Sequence, residues 1–195
     1  AVLASHDQRR TLFLVSSKSG GTLEVASFEK RCWEWSRAAR GEAAGRAFVA
    51  ITDPGTSLEA LALARGYRRT FANPPDIGGR YSALSCFGLV PAALLGVGVG
   101  RMLDEAVAEM DAALLERDAE RNPGLALGAA LCELARAGRD KLTLVLEGAF
   151  APLGVWVEQL VAESTGKTGR GVLPVADEPL SNPGAYGADR VFVYL

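Results

Sequence analysis

The sequence has few of the features that nucleic-acid-binding, membrane or metal-dependent proteins need. Its formal net charge of −2 excludes a broadly basic surface, because binding to a phosphate backbone requires an excess of Lys and Arg. The longest apolar stretch, residues 84–99, is interrupted by three glycines and by Pro91, so it is too short and too broken to span a membrane. We therefore expect neither a nucleic acid nor a membrane as partner.

Cysteine and histidine are also scarce. The three cysteines, Cys32, Cys86 and Cys132, lie far apart and have none of the paired spacing of metal sites or redox motifs. We interpret them as reduced thiols in or near the core. The one histidine, His6, precedes the first predicted strand, is expected to be solvent-exposed and is assigned no role. No metal or organic cofactor is expected.

Composition and chain ends suggest where the protein works and how complete the chain is. The chain is 49% hydrophobic, which is enough apolar surface for one substantial core or two small ones. No signal-peptide pattern opens it, so a cytoplasmic location is expected. The sequence begins without Met and ends inside the apolar run 191–195. Because a natural terminus inside a strand is unusual, we expect an internal piece of a larger protein.

Alternation of strand and helix patterns predicts the fold. Short apolar runs typical of buried parallel strands occur at 11–16, 46–52, 67–71, 141–147, 170–175 and 189–195. Helical spacing covers 22–40, 57–65, 80–97, 100–117, 123–138 and 151–165, with Ser57 as the expected N-cap of the second helix and Gly66 as the residue that ends it. We predict an α/β fold of parallel sheets flanked by helices in three α/β/α layers. Two incomplete α/β units, 1–79 and 139–195, are joined by a helical connection at 80–138.

The junction between the first strand and the first helix has the residues of an anion site. Glycines allow a close backbone approach, hydroxyls donate hydrogen bonds, and the free N–H groups of a helix start add partial positive charge. These residues are Ser17-Lys18-Ser19-Gly20-Gly21-Thr22, and together they suit a phosphate monoester. The spacing is not that of a nucleotide-binding P-loop. The alternative is an ordinary polar turn with a serine cap.

This loop, extended by Leu23 and Glu24, resembles the phosphate-binding loop of sugar isomerase (SIS) domains. That loop is usually a run of Ser, Lys, Ser or Thr, Gly, Thr, Thr and then Glu. Gly21 departs from the pattern because it stands where a hydroxyl residue is usual. One phosphate hydrogen bond is therefore lost or taken over by a backbone N–H.

A second motif occupies residues 76–85, Asp-Ile-Gly-Gly-Arg-Tyr-Ser-Ala-Leu-Ser. The glycines allow tight backbone approach, and Arg80 is placed near a predicted helix start, where its guanidinium could face an anionic reacting centre. On local grounds alone, a surface arginine at a glycine-rich turn is favoured. The whole segment, however, resembles the first signature of the glucose-6-phosphate isomerase family. That resemblance implies that Arg80 is catalytic and that Gly79 binds substrate.

A third motif, residues 159–167, ends the helix predicted at 151–165. It resembles the segment of the same family that ends in Glu-Ser-Asn-Gly-Lys, with Thr165 in place of Asn. The resemblance makes Glu163 the catalytic base, and Gln159, one turn earlier on the same helix face, is expected to reach the same pocket. On spacing alone, Glu163 would instead be paired with Lys167 at i+4.

The resemblance covers nearly the whole chain and implies a SIS-type fold that converts glucose 6-phosphate to fructose 6-phosphate through a cis-enediol(ate). It also implies a homo-oligomer, and the short loops look most like the form fused to transaldolase in some bacteria. The family's ring-opening histidine, its terminal lysine and an upstream Gly-Ser-rich loop have no counterpart here, so we expect the chain alone to be inactive. Two alternatives stay open: a non-catalytic SIS module that senses a sugar phosphate, and a dual glucose/mannose phosphate isomerase.

Overall fold

The computed structural model describes residues 2–195. They form two compact units that divide between Leu103 and Asp104. The first unit contains β1 (Phe13–Ser16), α1 (Leu23–Arg40), β2 (Phe48–Thr52), α2 (Ser57–Ala64), β3 (Arg69–Ala72) and α3 (Cys86–Leu94), and the division falls within α4 (Val99–Leu115). The second unit continues with α5 (Pro123–Arg136), β4 (Lys141–Val145), α6 (Leu153–Thr165), β5 (Leu173–Val175) and β6 (Arg190–Tyr194).

The sheet of the first unit has the order β1-β2-β3, with every pair parallel. All five residues of β2 are buried, as expected for a central parallel strand covered on both faces. Phe48 and Ala50 pack with residues of α1 and α2. Val49 points to the opposite face, where it lies beside residues of α3. This unit therefore has helices on both sides of its sheet.

Aromatic side chains fill the core on the α1/α2 face. Phe48, fully buried, stacks on Phe13 and Tyr67 with ring centroids 4.8 and 5.1 Å apart. Trp33 of α1 lies 5.6 Å from the same ring in a tilted arrangement. Such pairs contribute about 0.5–1.5 kcal/mol each beyond the apolar area that they bury, so they fix the position of α1 on the sheet.

A buried carboxylate ties α1 to the end of α2. Glu29 is 5% exposed, and it forms an ion pair with Arg65 and accepts a 2.6 Å hydrogen bond from the Tyr67 hydroxyl. The Arg65 guanidinium also lies 4.5 Å from the centroid of Trp33. Burial, and next the hydrogen bond to Glu29, raises the pKa of Tyr67 far above its ordinary value. Tyr67 therefore stays a hydrogen-bond donor at neutral pH.

The second unit has its own parallel sheet, with the order β5-β4-β6. The central residues of β4, Leu142, Thr143 and Leu144, are buried. Gly154 is buried on α6, where an added Cβ would lie 3.1 Å from the side chain of Ala176 and 3.2 Å from that of Leu146. The small residue allows α6 to approach the sheet closely and so sets the position of the helix that carries Glu163.

Parallel sheets flanked by helices confirm the predicted α/β class. The single helix predicted at 80–97 was wrong: a 3-10 helix, Gly79–Leu84, is followed by α3, because the Ser85 hydroxyl accepts from the Phe87 N–H and starts a new helix there. The N-cap of α2 is Thr56, not Ser57. Gly66, with φ +61°, follows the end of α2 as expected. The proposed boundaries at residues 79 and 138 stay a prediction.

Among residues 2–195, no helix combines the length and apolar character that crossing a membrane requires.

The Glu29 cluster gives a stability prediction. Replacing Glu29 with Ala leaves the Arg65 guanidinium, whose side chain is 27% exposed, and the Tyr67 hydroxyl without their shared acceptor. The free energy of unfolding should fall by about 2–3 kcal/mol, measured by urea denaturation. Glu34→Ala, which removes an exposed carboxylate from the same helix, should change it by less than about 0.5 kcal/mol. Equal effects would show that Glu29 is not a tie between α1 and α2.

Candidate phosphate and base sites

The predicted anion loop lies at the carboxyl end of β1, between that strand and α1. Ser17 is 6% exposed, and its main-chain N–H donates to the Ile51 carbonyl at 3.1 Å. The Ser17 hydroxyl lies 3.0 Å from the Thr22 hydroxyl and accepts a 3.1 Å hydrogen bond from the Gly20 N–H. The loop is therefore folded back on itself, with hydroxyls gathered at its centre.

The start of α1 is open to a ligand. Thr22 takes the N-cap position with extended backbone, but its side chain makes no capping hydrogen bond. The first N–H groups of an α-helix have no partner within the helix, and they carry the positive end of the helix dipole. Because the Thr22 hydroxyl turns toward Ser17 instead, these N–H groups are available to an anion at the loop.

The two glycines of the loop have different surroundings. Gly20 has φ +70°, and an added Cβ would lie 2.7 Å from the Thr56 Cβ and 2.9 Å from the Leu58 nitrogen. The Ser57 hydroxyl donates to the Gly20 carbonyl at 2.8 Å, so the loop rests directly on the start of α2. Gly21 has open space around it, and a side chain with a hydroxyl would fit there.

The side chain of Lys18 is directed into the fold. Its ammonium forms an ion pair with Asp53, which follows β2, and donates to the Pro75 carbonyl at 3.0 Å. In return, the Asp53 N–H donates to the Lys18 carbonyl at 3.2 Å. The loop motif predicts Lys18 as a substrate-binding residue, and it does not predict the ion pair with Asp53. The signal in the sequence is a pair of opposite charges, since Lys18 follows β1 and Asp53 follows β2, and these strands are adjacent and parallel.

Arg80 lies in the 3-10 helix Gly79–Leu84, at the second of its residues. Its guanidinium is 5.0 Å from the ring centroid of Tyr81, and the Tyr81 N–H donates to the Gly78 carbonyl at 3.0 Å. A Cβ at Gly79 would meet nothing within 4 Å. Gly79 therefore has open space beside Arg80, whereas a Cβ at Gly78 would lie 3.3 Å from the Tyr81 ring.

Gln159 and Glu163 lie on one face of α6, and the structure brings them into contact. The Gln159 amide donates to a Glu163 carboxylate oxygen at 3.2 Å, and both side chains are exposed. Lys167 donates to the main-chain carbonyl of Glu163 at 3.1 Å, so this bond caps the helix end. The Thr165 hydroxyl accepts from the Val172 N–H at 2.9 Å and fixes the segment after the helix. Arg80 belongs to the other unit.

Within residues 2–195, no three His, Cys, Asp or Glu side chains gather in a way that could hold a metal ion.

Comparison with known proteins identifies similar chains. The family model described as phosphoglucose isomerase matches residues 1–172. A glucose-6-phosphate isomerase of Symbiobacterium thermophilum is 39% identical over 173 residues, which cover 87% of this chain and 38% of that protein. A glucose-6-phosphate isomerase of Trichormus variabilis is 38% identical over 161 residues, covering 80% of this chain and 30% of its own length. The chain thus spans about a third of the length of the curated relatives that it matches.

Two solved structures have a fold similar to that of this chain. A hypothetical protein of Thermus thermophilus superposes with a TM-score of 0.84 at 28% identity, over 99% of this chain and 49% of that one. A glucose-6-phosphate isomerase from Chlamydia trachomatis superposes with a TM-score of 0.73 at 26% identity, over 90% of this chain and 36% of that one. The fold predicted as SIS-type is therefore shared with an isomerase structure.

The two loop glycines give a binding prediction for the full-length protein. Gly20→Ala combines a left-handed backbone with a clash against Thr56 and should weaken the binding of inorganic phosphate by at least about tenfold. Gly21→Ser supplies the missing hydroxyl in open space and should tighten it about two- to fivefold. Isothermal titration calorimetry measures both.

Gly66→Ala is the matched control for backbone strain. Gly66 also has a positive φ, but an added Cβ there would meet nothing within 4 Å, and Gly66 lies at the other end of α2. Its substitution should lower stability by about 1 kcal/mol without changing phosphate affinity. If Gly20→Ala binds phosphate as the unmodified protein does, the anion site is not at this loop.

Proposed function

The chain belongs to the phosphoglucose isomerase family, and we propose that it is part of an enzyme that interconverts glucose 6-phosphate and fructose 6-phosphate. The substrate phosphate binds at the loop of Ser17, Ser19, Gly20, Gly21 and Thr22. Hydroxyls and helix N–H groups suit a dianion there. Reaction occurs at the other end of the sugar, where Glu163 and Arg80 act.

One observation carries the proposal beyond phosphate binding. The Glu163 carboxylate is exposed at the end of α6 and receives a hydrogen bond from Gln159 at 3.2 Å. A donor one helical turn away orients the carboxylate, and exposure keeps it reachable for a substrate. A general base must lie within hydrogen-bond reach of the proton that it removes. A module that only senses a sugar phosphate needs the loop but no oriented base.

The chemistry follows from these roles. In the open-chain sugar, Glu163 removes the proton from C2, and the electron pair left behind forms the C1–C2 double bond of a cis-enediol(ate). The proton then returns from Glu163 to C1, while the C2 hydroxyl gives up its proton to the C1 oxygen and becomes the carbonyl of the ketose. Negative charge develops on the oxygen during this transfer, and the Arg80 guanidinium stabilises it. No redox cofactor is required because the oxidation of C2 is balanced by the reduction of C1 in the same sugar.

Other expectations belong to the same proposal. The resemblance places two further residues outside this chain. One is the histidine that opens the sugar ring, and the other is a lysine near the end of the whole protein. A homo-oligomer, a cytoplasmic location and fusion to a transaldolase domain follow from the family resemblance as predictions. A dual glucose/mannose isomerase uses the same base, so turnover of mannose 6-phosphate distinguishes it.

Exchange of the C2 proton of the sugar with deuterated water tests the role of Glu163 as the base. In the full-length protein, Glu163→Gln keeps the shape of the side chain but removes the base, so kcat should fall roughly 10²–10⁴-fold. The KM for glucose 6-phosphate should change little because the phosphate loop is intact. NMR in deuterated water follows loss of the C2 proton during turnover.

The matched control is Glu158→Gln, which removes an exposed carboxylate from another face of α6 and should leave kcat within about twofold. If the Glu163→Gln variant exchanges the C2 proton at the rate of the unmodified protein, the assignment of Glu163 as base is contradicted. The helix-end structural role would then be the better explanation.

A further inference from the structure

The side chain of Lys18 is occupied on the inner side of the phosphate loop. Its ammonium has three N–H donors, and two of its acceptors are the Asp53 carboxylate and the Pro75 carbonyl. The side chain is one-third exposed. A lysine in a phosphate loop would ordinarily be assigned to the phosphate itself, but this one links three segments of its own fold.

Release of Lys18 to a phosphate would be costly. The Asp53 side chain is only 13% exposed, and within residues 2–195 its Oδ1 atom is buried without a hydrogen-bond partner. Removing one partner of such a pair strands the other charge away from water, which is strongly destabilising. The ion pair therefore holds Lys18 at Asp53 when the loop binds an anion.

Main-chain hydrogen bonds fix one end of this link. The Lys18 carbonyl accepts from the Asp53 N–H at 3.2 Å and from the Thr52 hydroxyl at 3.4 Å. Thr52 ends β2 and its carbonyl accepts from the Asn73 N–H at 2.9 Å. Loop, β2 and the segment after β3 are thus joined in one network.

The other end of the link leads to Arg80. Pro75 stands five residues before Arg80. In this segment the Ile77 N–H donates to the Pro74 carbonyl at 3.3 Å, and Gly78 is the N-cap of the 3-10 helix Gly79–Leu84. A contact at the Pro75 carbonyl therefore restrains the short glycine segment whose path sets where the guanidinium lies.

We infer that Lys18 is a positioning residue: through Asp53 and the Pro75 carbonyl, its ammonium holds the Arg80 segment in register with the phosphate loop. The inference rests on the proposed function for its catalytic readout. The bound phosphate is stabilised by hydroxyls and main-chain N–H groups, and Lys18 contributes geometry at the reacting centre. Small displacements of a catalytic group lower the rate strongly, by about 10²-fold for 1 Å.

Two single substitutions separate this role from direct phosphate binding. In the full-length protein, Lys18→Met and Asp53→Asn should both lower kcat about 10- to 100-fold. The KM for glucose 6-phosphate and the inhibition constant of inorganic phosphate should change less than about threefold. If Lys18 bound phosphate directly, Asp53→Asn would free it and tighten phosphate binding, while Lys18→Met would weaken it. That pair of opposite effects overturns the inference.

Two further variants complete the test. Lys18→Met/Asp53→Asn leaves no stranded charge, so it folds even where a single variant does not. Its kcat should equal that of the single variants within about threefold, because all three lack the same link. Lys18→Arg keeps a cation beside Asp53 and should recover most of the rate. Unmodified kcat in the double variant would contradict the positioning role.

A readout without catalysis keeps the inference separate from the proposed function. Asp53→Asn should accelerate tryptic cleavage after Arg80 about fivefold, since a restraint of about 1 kcal/mol on local opening is lost. Cleavage after Arg136 in the second unit is the internal reference. If the unmodified protein does not isomerise glucose 6-phosphate, the proposed function is wrong, and the proteolysis result still tests the positioning inference. If cleavage after Arg80 is unchanged relative to Arg136, the positioning inference fails.

Discussion

The parallel pairing of β1 with β2 is the constraint on which the proposed phosphate site depends. Its register continues past the ends of the strands, where the Ser17 N–H donates to the Ile51 carbonyl and the Asp53 N–H donates to the Lys18 carbonyl. Parallel strands end at the same edge of a sheet. The ammonium and the carbonyl of Lys18 therefore meet Asp53, which follows β2, and a shift of the register by one residue would separate them.

Two contacts then give the loop its shape. At Gly20, the backbone approaches Thr56 so closely that a Cβ has no room, and the Ser57 hydroxyl holds the Gly20 carbonyl from the same side. At Lys18, the ammonium is drawn to Asp53. The two contacts pull the loop onto the α2 start and the β2 end, and its hydroxyls face one another between them. A loop so restrained is preorganised, which lowers the entropy cost of binding an anion.

The sequence predicted the strands, because continuous apolar runs with turn residues after them are typical of a buried parallel sheet. It also predicted the loop and the Gln159–Glu163 face, since both depend on local spacing. It did not predict the break at Ser85, where a side-chain cap outweighs the helical apolar pattern of 80–97. Nor did it predict the Lys18–Asp53 pair, because partners 35 residues apart in sequence meet only through strand register. Local patterns determine elements, and tertiary pairing determines which charges are neutralised.

Neutralisation of Lys18 has a consequence for how the loop binds. A helix start contributes about half a positive charge, typically worth about 0.3–1 kcal/mol at exposed sites, and each hydrogen bond to a charged phosphate contributes about 1.5–3 kcal/mol. Such donors would place a phosphate in a defined position without the charge of the Lys18 side chain. In the proposed isomerase the phosphate is unchanged by the reaction, so stronger binding to substrate and transition state alike would lower KM without raising kcat. In the proposed mechanism the charge that matters for the rate is that of Arg80, where negative charge develops, and the role we infer for Lys18 is to position this group.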